Sequence, residues 1–216
     1  MRYDSVIFDL DGTLLDTLED LAAAVNYALA QKGYPTRTVQ EVCRFVGNGV
    51  EKLVRRAVPA DTAEAEIMDT LRVFKAYYAQ HNNDATAPYP GINELLADLK
   101  EAGVRMAIVS NKNDPNVKAL ARMYFPDTIS LAVGEGNGVR PKPCPDTVLH
   151  VMNQWQCNPQ STLYVGDSDV DIQTAQNAGV DCASVCWGFR PEEELRQCGA
   201  TLLIHTAEEL KTLICG

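Results

Sequence analysis

Four short segments of the chain carry side chains that would make poor core and useful chemistry. Asp9 and Asp11 flank Leu10 at the end of the apolar run Val6-Ile7-Phe8, just before Gly12-Thr13-Leu14. Ser110-Asn111 closes a second apolar run, Lys142 lies between Pro141 and Pro143, and Asp167 and Asp171 fall in Gly166-Asp167-Ser168-Asp169-Val170-Asp171. Side chains two apart on a strand face the same way, so Asp9 and Asp11 are expected to project together. Such carboxylates repel unless one is protonated or a cation lies between them. Asp167 and Asp171, four apart at a helix start, are expected to share a face and to offer oxygens directly or through water. With Asp9 and the backbone carbonyl of Asp11 they make a hard, oxygen-rich environment suited to Mg2+, which keeps waters and completes its shell with phosphate. The hydroxyls of Thr13 and Ser110, the amide of Asn111 and the Lys142 ammonium are what a phosphate needs around it.

Each segment alone has a plainer explanation. Asp-Gly is a common turn, Ser-Asn is another, and a lysine between prolines can be a solvated loop charge. Asp167 can cap a helix, with Asp169 and Asp171 supporting its first turn, and Asp169 reads equally as ligand shell or helix-start charge. Their joint placement favours a site, because in open parallel sheets ligands bind beyond the carboxyl ends of the strands.

The elements that must position these residues follow from periodicity. After the opening strand, Thr17 is a candidate helix cap, and Leu18, Leu21, Val25, Ala28 and Leu29 recur at helical spacing until Gly33. Helical patterns continue over 42–45, 50–58 and 63–81, with no strand. Beyond Pro88-Tyr89-Pro90-Gly91 the texture alternates: helix 92–102, strand 104–109, a helix from Asp114-Pro115, strand 129–133, helix 145–154, strand 162–165, a further helix, then strands 182–187 and 202–204. That alternation implies an α/β fold with a doubly wound, mostly parallel, Rossmann-like sheet. Residues 1–15 and 84–216 are expected to form this core, and 16–83 a small inserted α-helical cap.

The chain has 216 residues, 46% hydrophobic, and a formal charge of -10. An acidic surface repels nucleic acid and anionic lipid, so a nucleic-acid partner is not expected. Neither a leader-like segment nor a membrane-length apolar stretch is present, and a cytoplasmic location is expected. Seven scattered cysteines without a CxxC pair indicate neither a disulfide framework nor a zinc ribbon, and the three histidines read as surface or helix-end residues. Gly134-Glu135-Gly136-Asn137-Gly138 reads as a flexible loop leading to Lys142, since Pro141 and Pro143 forbid the helix a dinucleotide site needs. Nothing in the pattern selects between monomer and homodimer.

In this order, Asp9-Leu10-Asp11-Gly12-Thr13-Leu14, Ser110-Asn111, Lys142 within Arg140-Pro141-Lys142-Pro143, and Gly166 to Asp171 resemble the four motifs of the haloacid dehalogenase superfamily of phosphohydrolases. The resemblance spans nearly the whole chain. It implies that Asp9 attacks phosphorus to form an aspartyl phosphate and that Asp11 protonates the leaving oxygen and then activates water. It also implies Mg2+ held by Asp9, Asp11 and Asp167 with Asp171 behind them, and phosphate bound by Thr13, Ser110, Asn111 and Lys142. The stretch Val46-Gly47-Asn48-Gly49-Val50, together with Trp187-Gly188, is similar to phosphoglycolate phosphatases, making a small phosphorylated metabolite, first 2-phosphoglycolate, the expected substrate.

Several neighbours of that reading share its motifs. A sugar-phosphate mutase of the β-phosphoglucomutase kind has the same core, and pyrophosphate or nucleotide phosphatases carry similar short segments. Asp11 argues against carbon-halogen cleavage, which needs no second acid; Schiff-base phosphonate cleavage uses a cap lysine, and Lys52, the one nearest Gly47 and Gly49, sits in what reads as an ordinary helix. A phosphate-responsive signalling module is the non-enzymatic alternative, disfavoured by the helical insert. Asn48, Lys52, Arg55 and Arg56 are candidate substrate contacts within the cap.

Overall fold

The computed structural model describes residues 2–136 and 138–216. Its elements in chain order begin with β1 (Ser5–Phe8), β2 (Leu15–Asp16), α1 (Leu18–Gln31), α2 (Val39–Phe45), α3 (Val50–Ala57), α4 (Glu64–Tyr78) and β3 (Ala87–Pro88). There follow α5 (Ile92–Glu101), β4 (Arg105–Asn113), α6 (Asp114–Tyr124), β5 (Leu131–Glu135), α7 (Asp146–Trp155) and β6 (Thr162–Gly166). The chain closes with α8 (Asp169–Ala178), β7 (Asp181–Val185), α9 (Glu192–Gln197), β8 (Leu202–Ile204) and α10 (Ala207–Cys215). Two compact units result: Met1–Leu15 with Pro88–Gly216, and Asp16–Ala87.

The first unit is built on a six-stranded sheet in the order β5-β4-β1-β6-β7-β8, with every pairing parallel. Alternation along β1 explains why helices cover both faces. Val6 and Phe8 point with Met106, Ile108, Leu163 and Val165 into a core closed by Leu95, Leu96 and Leu99 of α5, Leu120 of α6 and Ile214 of α10. Ile7 points the other way with Ala107, Val109 and Tyr164, against Val148 and Val151 of α7 and Ala175 of α8. A doubly wound sheet brings the carboxyl ends of its central strands β4, β1 and β6 to one edge.

The second unit is helical apart from its two ends, Asp16 of β2 and Ala87 of β3. Val25 and Leu29 of α1, Leu53 and Val54 of α3, and Leu71 and Phe74 of α4 are buried, and an ion pair between Lys32 and Asp69 ties the end of α1 to α4. The boundary of this unit falls at Ala87, later than the expected return at residue 84. Asp20 is the reason. Only 2% exposed, it accepts hydrogen bonds from Ala85 N at 2.9 Å, Thr86 N at 2.9 Å and Thr86 Oγ1 at 2.6 Å, so 85 and 86 stay with α1.

Several local expectations need correction. Thr17 makes no side-chain cap; Asp16 Oδ1 accepts from Leu18 N at 3.2 Å instead. β4 does not stop at Val109 but continues through a register shift to Asn113 beside Glu135. The glycine-rich segment is less loop-like than expected. Gly134 and Glu135 complete β5, Gly134 N donates to Asp114 Oδ1 at 3.1 Å, and a Cβ on Gly134 would strike the Asp114 backbone. Asn137 lies outside the described residues. Asp20→Ala would take the acceptor from the buried Thr86 amide and the part-buried Ala85 amide and leave the Thr86 hydroxyl its longer, 3.3 Å contact with Asn82 O. We expect it to lower stability by about 3 kcal/mol, read by urea denaturation, with faster hydrogen exchange at the Ala85 and Thr86 amides; unchanged exchange there would refute the anchoring role.

Candidate active site

Asp9 is the first residue beyond β1, yet its backbone stays anchored to β6 because Asp9 N donates to Val165 O at 2.8 Å. Leu10 N donates to Asp9 Oδ1 at 2.7 Å. The chain then turns at Gly12, with φ of +83°, and Gly12 N reaches Leu15 O at 2.9 Å. Because the strand ends at Phe8, simple alternation does not govern Asp9 and Asp11. Each carboxylate has its own lysine. Asp9 Oδ1 lies 3.0 Å from Lys142 Nζ, and Asp11 Oδ1 accepts from Lys112 Nζ at 2.7 Å.

Lys142, 5% exposed, is gripped from several sides. Its Nζ donates to Asp171 Oδ1 at 2.7 Å and to the Tyr164 hydroxyl at 3.1 Å, and that hydroxyl donates to the same Asp171 oxygen at 2.9 Å. Asn111 brackets the lysine backbone, accepting from Lys142 N at 2.7 Å and donating to Lys142 O at 3.0 Å. Burial alone would pull the ammonium down, but the Asp171 and Asp9 carboxylates push it well above the ordinary lysine range. Lys142 is a fixed positive charge. Burial, then Asp171 and Asp9, likewise keep the Tyr164 hydroxyl protonated as a donor.

Asp171 is fully buried, and both its oxygens are engaged. Oδ2 accepts from Ser168 Oγ at 2.6 Å, Ser168 N at 3.1 Å and Asp167 N at 3.2 Å, a reciprocal capping arrangement at the start of α8. Gly166 permits the approach, since a Cβ there would collide with the Asp171 carboxylate. Asp167, 2% exposed, accepts from Phe189 N at 2.7 Å and from Thr13 Oγ1 at 3.2 Å. Gly12 and Gly188 pack so closely on Asp167 that a Cβ on either would strike it. Trp187 Nε1 donates to Thr13 O at 3.1 Å and holds that turn in place.

Ligating oxygens of Asp9, Asp167 and Asp171 lie within 4.8 Å of one another, and among the four buried charges Lys142 is the sole cation, so the group carries excess negative charge. Burial first, then Asp171 and Asp11, raise Asp9 against the opposing pull of Lys142, to about 7. Asp167 is pushed well above the carboxylate range by burial, with Asp171 and Asp9 adding to it. A cation would relieve both. The donor set fits a hard divalent ion: Asp171 is saturated by other donors, whereas Leu10 N and Lys142 both act on Oδ1 of Asp9 and leave Oδ2 unengaged by them.

The structure thus gathers Asp9, Thr13, Lys142, Asp167 and Asp171 in one hydrogen-bonded network. Ser110 is buried, and its Oγ accepts from Lys112 N at 3.2 Å. Asp169 stands apart with an exposed side chain, 3.8 Å from Arg190 Nε. Sequence reading missed Lys112, Tyr164 and Ser168. Lys112 lies two residues beyond Ser110 on β4, a spacing that has meaning only once the strand is seen to continue past Val109, and it is 6% exposed. Among the cap candidates, Arg55 is engaged by Glu51 at 3.0 Å and Glu64 at 2.5 Å. Arg56 donates to Phe45 O and Asn48 Oδ1, at 2.7 and 2.8 Å, and Lys52 is exposed on α3.

Comparison with known proteins finds relatives over nearly the whole chain. A family model described as haloacid dehalogenase-like hydrolase matches residues 6–185. A phosphoglycolate phosphatase of Pseudomonas putida is 35% identical, covering 98% of this chain and 78% of its own. Phosphoglycolate phosphatase 1 of Pseudomonas aeruginosa is also 35% identical, over 95% of this chain and 77% of its own. A crystal structure from Lactobacillus delbrueckii subsp. bulgaricus, whose assignment as a phosphoglycolate phosphatase is provisional, is 38% identical. It superposes with a TM-score of 0.95 over 99% of both chains. Among the described residues no helix is long and apolar enough to cross a membrane. The chain belongs to the haloacid dehalogenase-like hydrolases and is one of their phosphatases.

Proposed function

We propose that this phosphatase hydrolyses the phosphomonoester of a small acid, first 2-phosphoglycolate, through an aspartyl phosphate on Asp9. The observation that carries the reading is the buried Asp9 carboxylate, fixed by Lys142 through one oxygen, in a group with excess negative charge. The names of the two Pseudomonas relatives support the substrate. Mg2+, held by Asp9, Asp167 and the Asp11 backbone carbonyl with Asp171 behind them, would neutralise carboxylate and phosphate charge together.

In the first step an Asp9 oxygen forms a bond to phosphorus as the bond to the leaving alkoxide breaks. Asp11, oriented by Lys112, must enter this step as the carboxylic acid, and gives that proton to the alkoxide. In the second step water attacks the aspartyl phosphate, its proton passes to Asp11, and phosphate and the Asp9 carboxylate are released. Lys142 neutralises charge on the transferring group, and Thr13 and Ser110 offer hydroxyls to it. Asn111 acts by fixing the Lys142 backbone. Location in the cytoplasm follows from the same reading, with a phosphorylated metabolite as partner and no nucleic acid or membrane.

Two outcomes check this. Asp9→Asn should cut Mg2+-dependent phosphate release from 2-phosphoglycolate by more than about 1,000-fold while raising the melting temperature of the cation-free protein, because a buried charge is removed. Substantial residual turnover would remove Asp9 as nucleophile. The second concerns pH. Asp9 is raised above its ordinary value, so the stability it contributes without a cation is full below about pH 4 and is lost as pH rises through about 7. Mg2+ competes with that proton, and its stabilising effect in thermal scans should be larger at pH 8 than at pH 5. An equal shift at both pH values would contradict the cation role.

A further inference from the structure

A second group of ligating side chains stands at the same edge of the sheet. β7 and β8 run parallel with Val185 beside Ile204, so Cys186 and His205, which follow each strand, leave it side by side. Cys186 N donates to Ile204 O at 2.8 Å and extends that register by one residue. Glu192, the first residue of α9, completes the group. One ligating atom from each of Cys186, Glu192 and His205 lies within 4.8 Å of the others.

The neighbours orient these atoms. Arg196 holds Glu192 Oε1 through Nη2 at 2.6 Å and Nε at 2.9 Å, while Oε2 sits 2.8 Å from His205 Nε2. Glu209 Oε2 accepts from His205 N at 2.7 Å and lies 3.6 Å from the ring Nδ1. One edge of the imidazole therefore faces an orienting carboxylate, and the other faces Glu192. At 3.6 Å the Nδ1 contact is not a hydrogen bond, but it places Glu209 at the ring edge away from Glu192, where a second carboxylate orients a metal-binding histidine.

We propose that Cys186, Glu192 and His205 form a site for a thiophilic divalent cation of the Zn2+ class, separate from the catalytic acids. Sulfur, imidazole nitrogen and one carboxylate make a borderline-soft donor set, suited to tetrahedral Zn2+ with water in the fourth position and ill suited to Mg2+. The oxygen-only group at Asp9 and Asp167 has the opposite preference. Solvent gives the ion entry, since the His205 and Glu192 side chains are 50% and 37% exposed. A surface histidine-glutamate pair needs no cysteine beside it and contributes little on its own. The position has a consequence for the phosphatase site: the segment after Cys186 supplies the Trp187 and Phe189 donors to Thr13 and Asp167. A bound cation would tether the segment that grips Asp167.

Co2+ titration of the reduced, metal-stripped protein in excess Mg2+ tests the site, because only a thiolate ligand gives a sulfur-to-cobalt charge-transfer band. We expect the band to saturate at a stoichiometric addition, to be displaced by Zn2+, to vanish in Cys186→Ser and to persist in Asp167→Asn. His205→Gln alters a half-exposed residue and so tests the site without touching the core; it should abolish stoichiometric saturation. No band in the parent protein, a band surviving in Cys186→Ser, stoichiometric saturation in His205→Gln, or loss of the band in a folded Asp167→Asn would overturn the proposal.

Discussion

The Lys142 ammonium, held between the Asp9 and Asp171 carboxylates, is the contact on which the rest of the site depends. Ion pairs this buried are not strong stabilisers, because desolvation offsets their attraction, but removing the lysine would leave both buried carboxylates uncompensated at a cost of about 3–5 kcal/mol, whereas removing Asp9 leaves Lys142 paired with Asp171. The chain surrounds the pair accordingly. Tyr164 reaches it from within the sheet, Ser168 saturates the far oxygen of Asp171, and Asn111 fixes the lysine backbone. A single ammonium cannot balance Asp9, Asp167 and Asp171 when all are ionised, and that imbalance is the physical argument for the proposed divalent ion.

Close backbone approach makes the imbalance possible. Gly12 and Gly188 pack on Asp167, and Gly166 packs on Asp171, at distances no side chain would allow. Carboxylates that would repel one another in a looser structure are confined by hydrogen bonds from Phe189 N, Thr13 Oγ1 and the start of α8. The doubly wound sheet supplies the rigidity. Its central strands are buried on both faces; Asp9 and Asp167 sit one position past β1 and β6, where backbone anchors such as Asp9 N to Val165 O persist, and Ser110 and Lys112 lie on the far end of β4. Chemistry and fold meet at those few residues.

Much of this was legible because each motif is contiguous and follows an apolar run. Asp9, Thr13, Lys142, Asp167 and Asp171 were readable from spacing, and the sheet from alternating strand and helix patterns. Lys112 was not, since Ser110-Asn111 looks like a strand end while β4 runs through a register shift to Asn113. The Tyr164 hydroxyl hid inside an apolar strand. Asp171 was expected to lie behind the ion, but its saturation by Ser168 and Asp167 amides depends on a capping geometry that composition does not reveal. Cys186 and His205 lie far apart in sequence and become neighbours only through the pairing of β7 with β8. Partnerships set by strand order are the part that a linear reading loses.

The most direct test is a crystal structure with Mg2+ and beryllofluoride, which mimics a phosphoryl group bonded to a carboxylate. Beryllium should be bonded to an Asp9 oxygen, with Lys142 against its fluorides and Mg2+ touching both Asp9 and Asp167. Beryllofluoride on any other side chain, or Mg2+ bound away from Asp167, would contradict the assignment of Asp9 as nucleophile at a cation-balanced site.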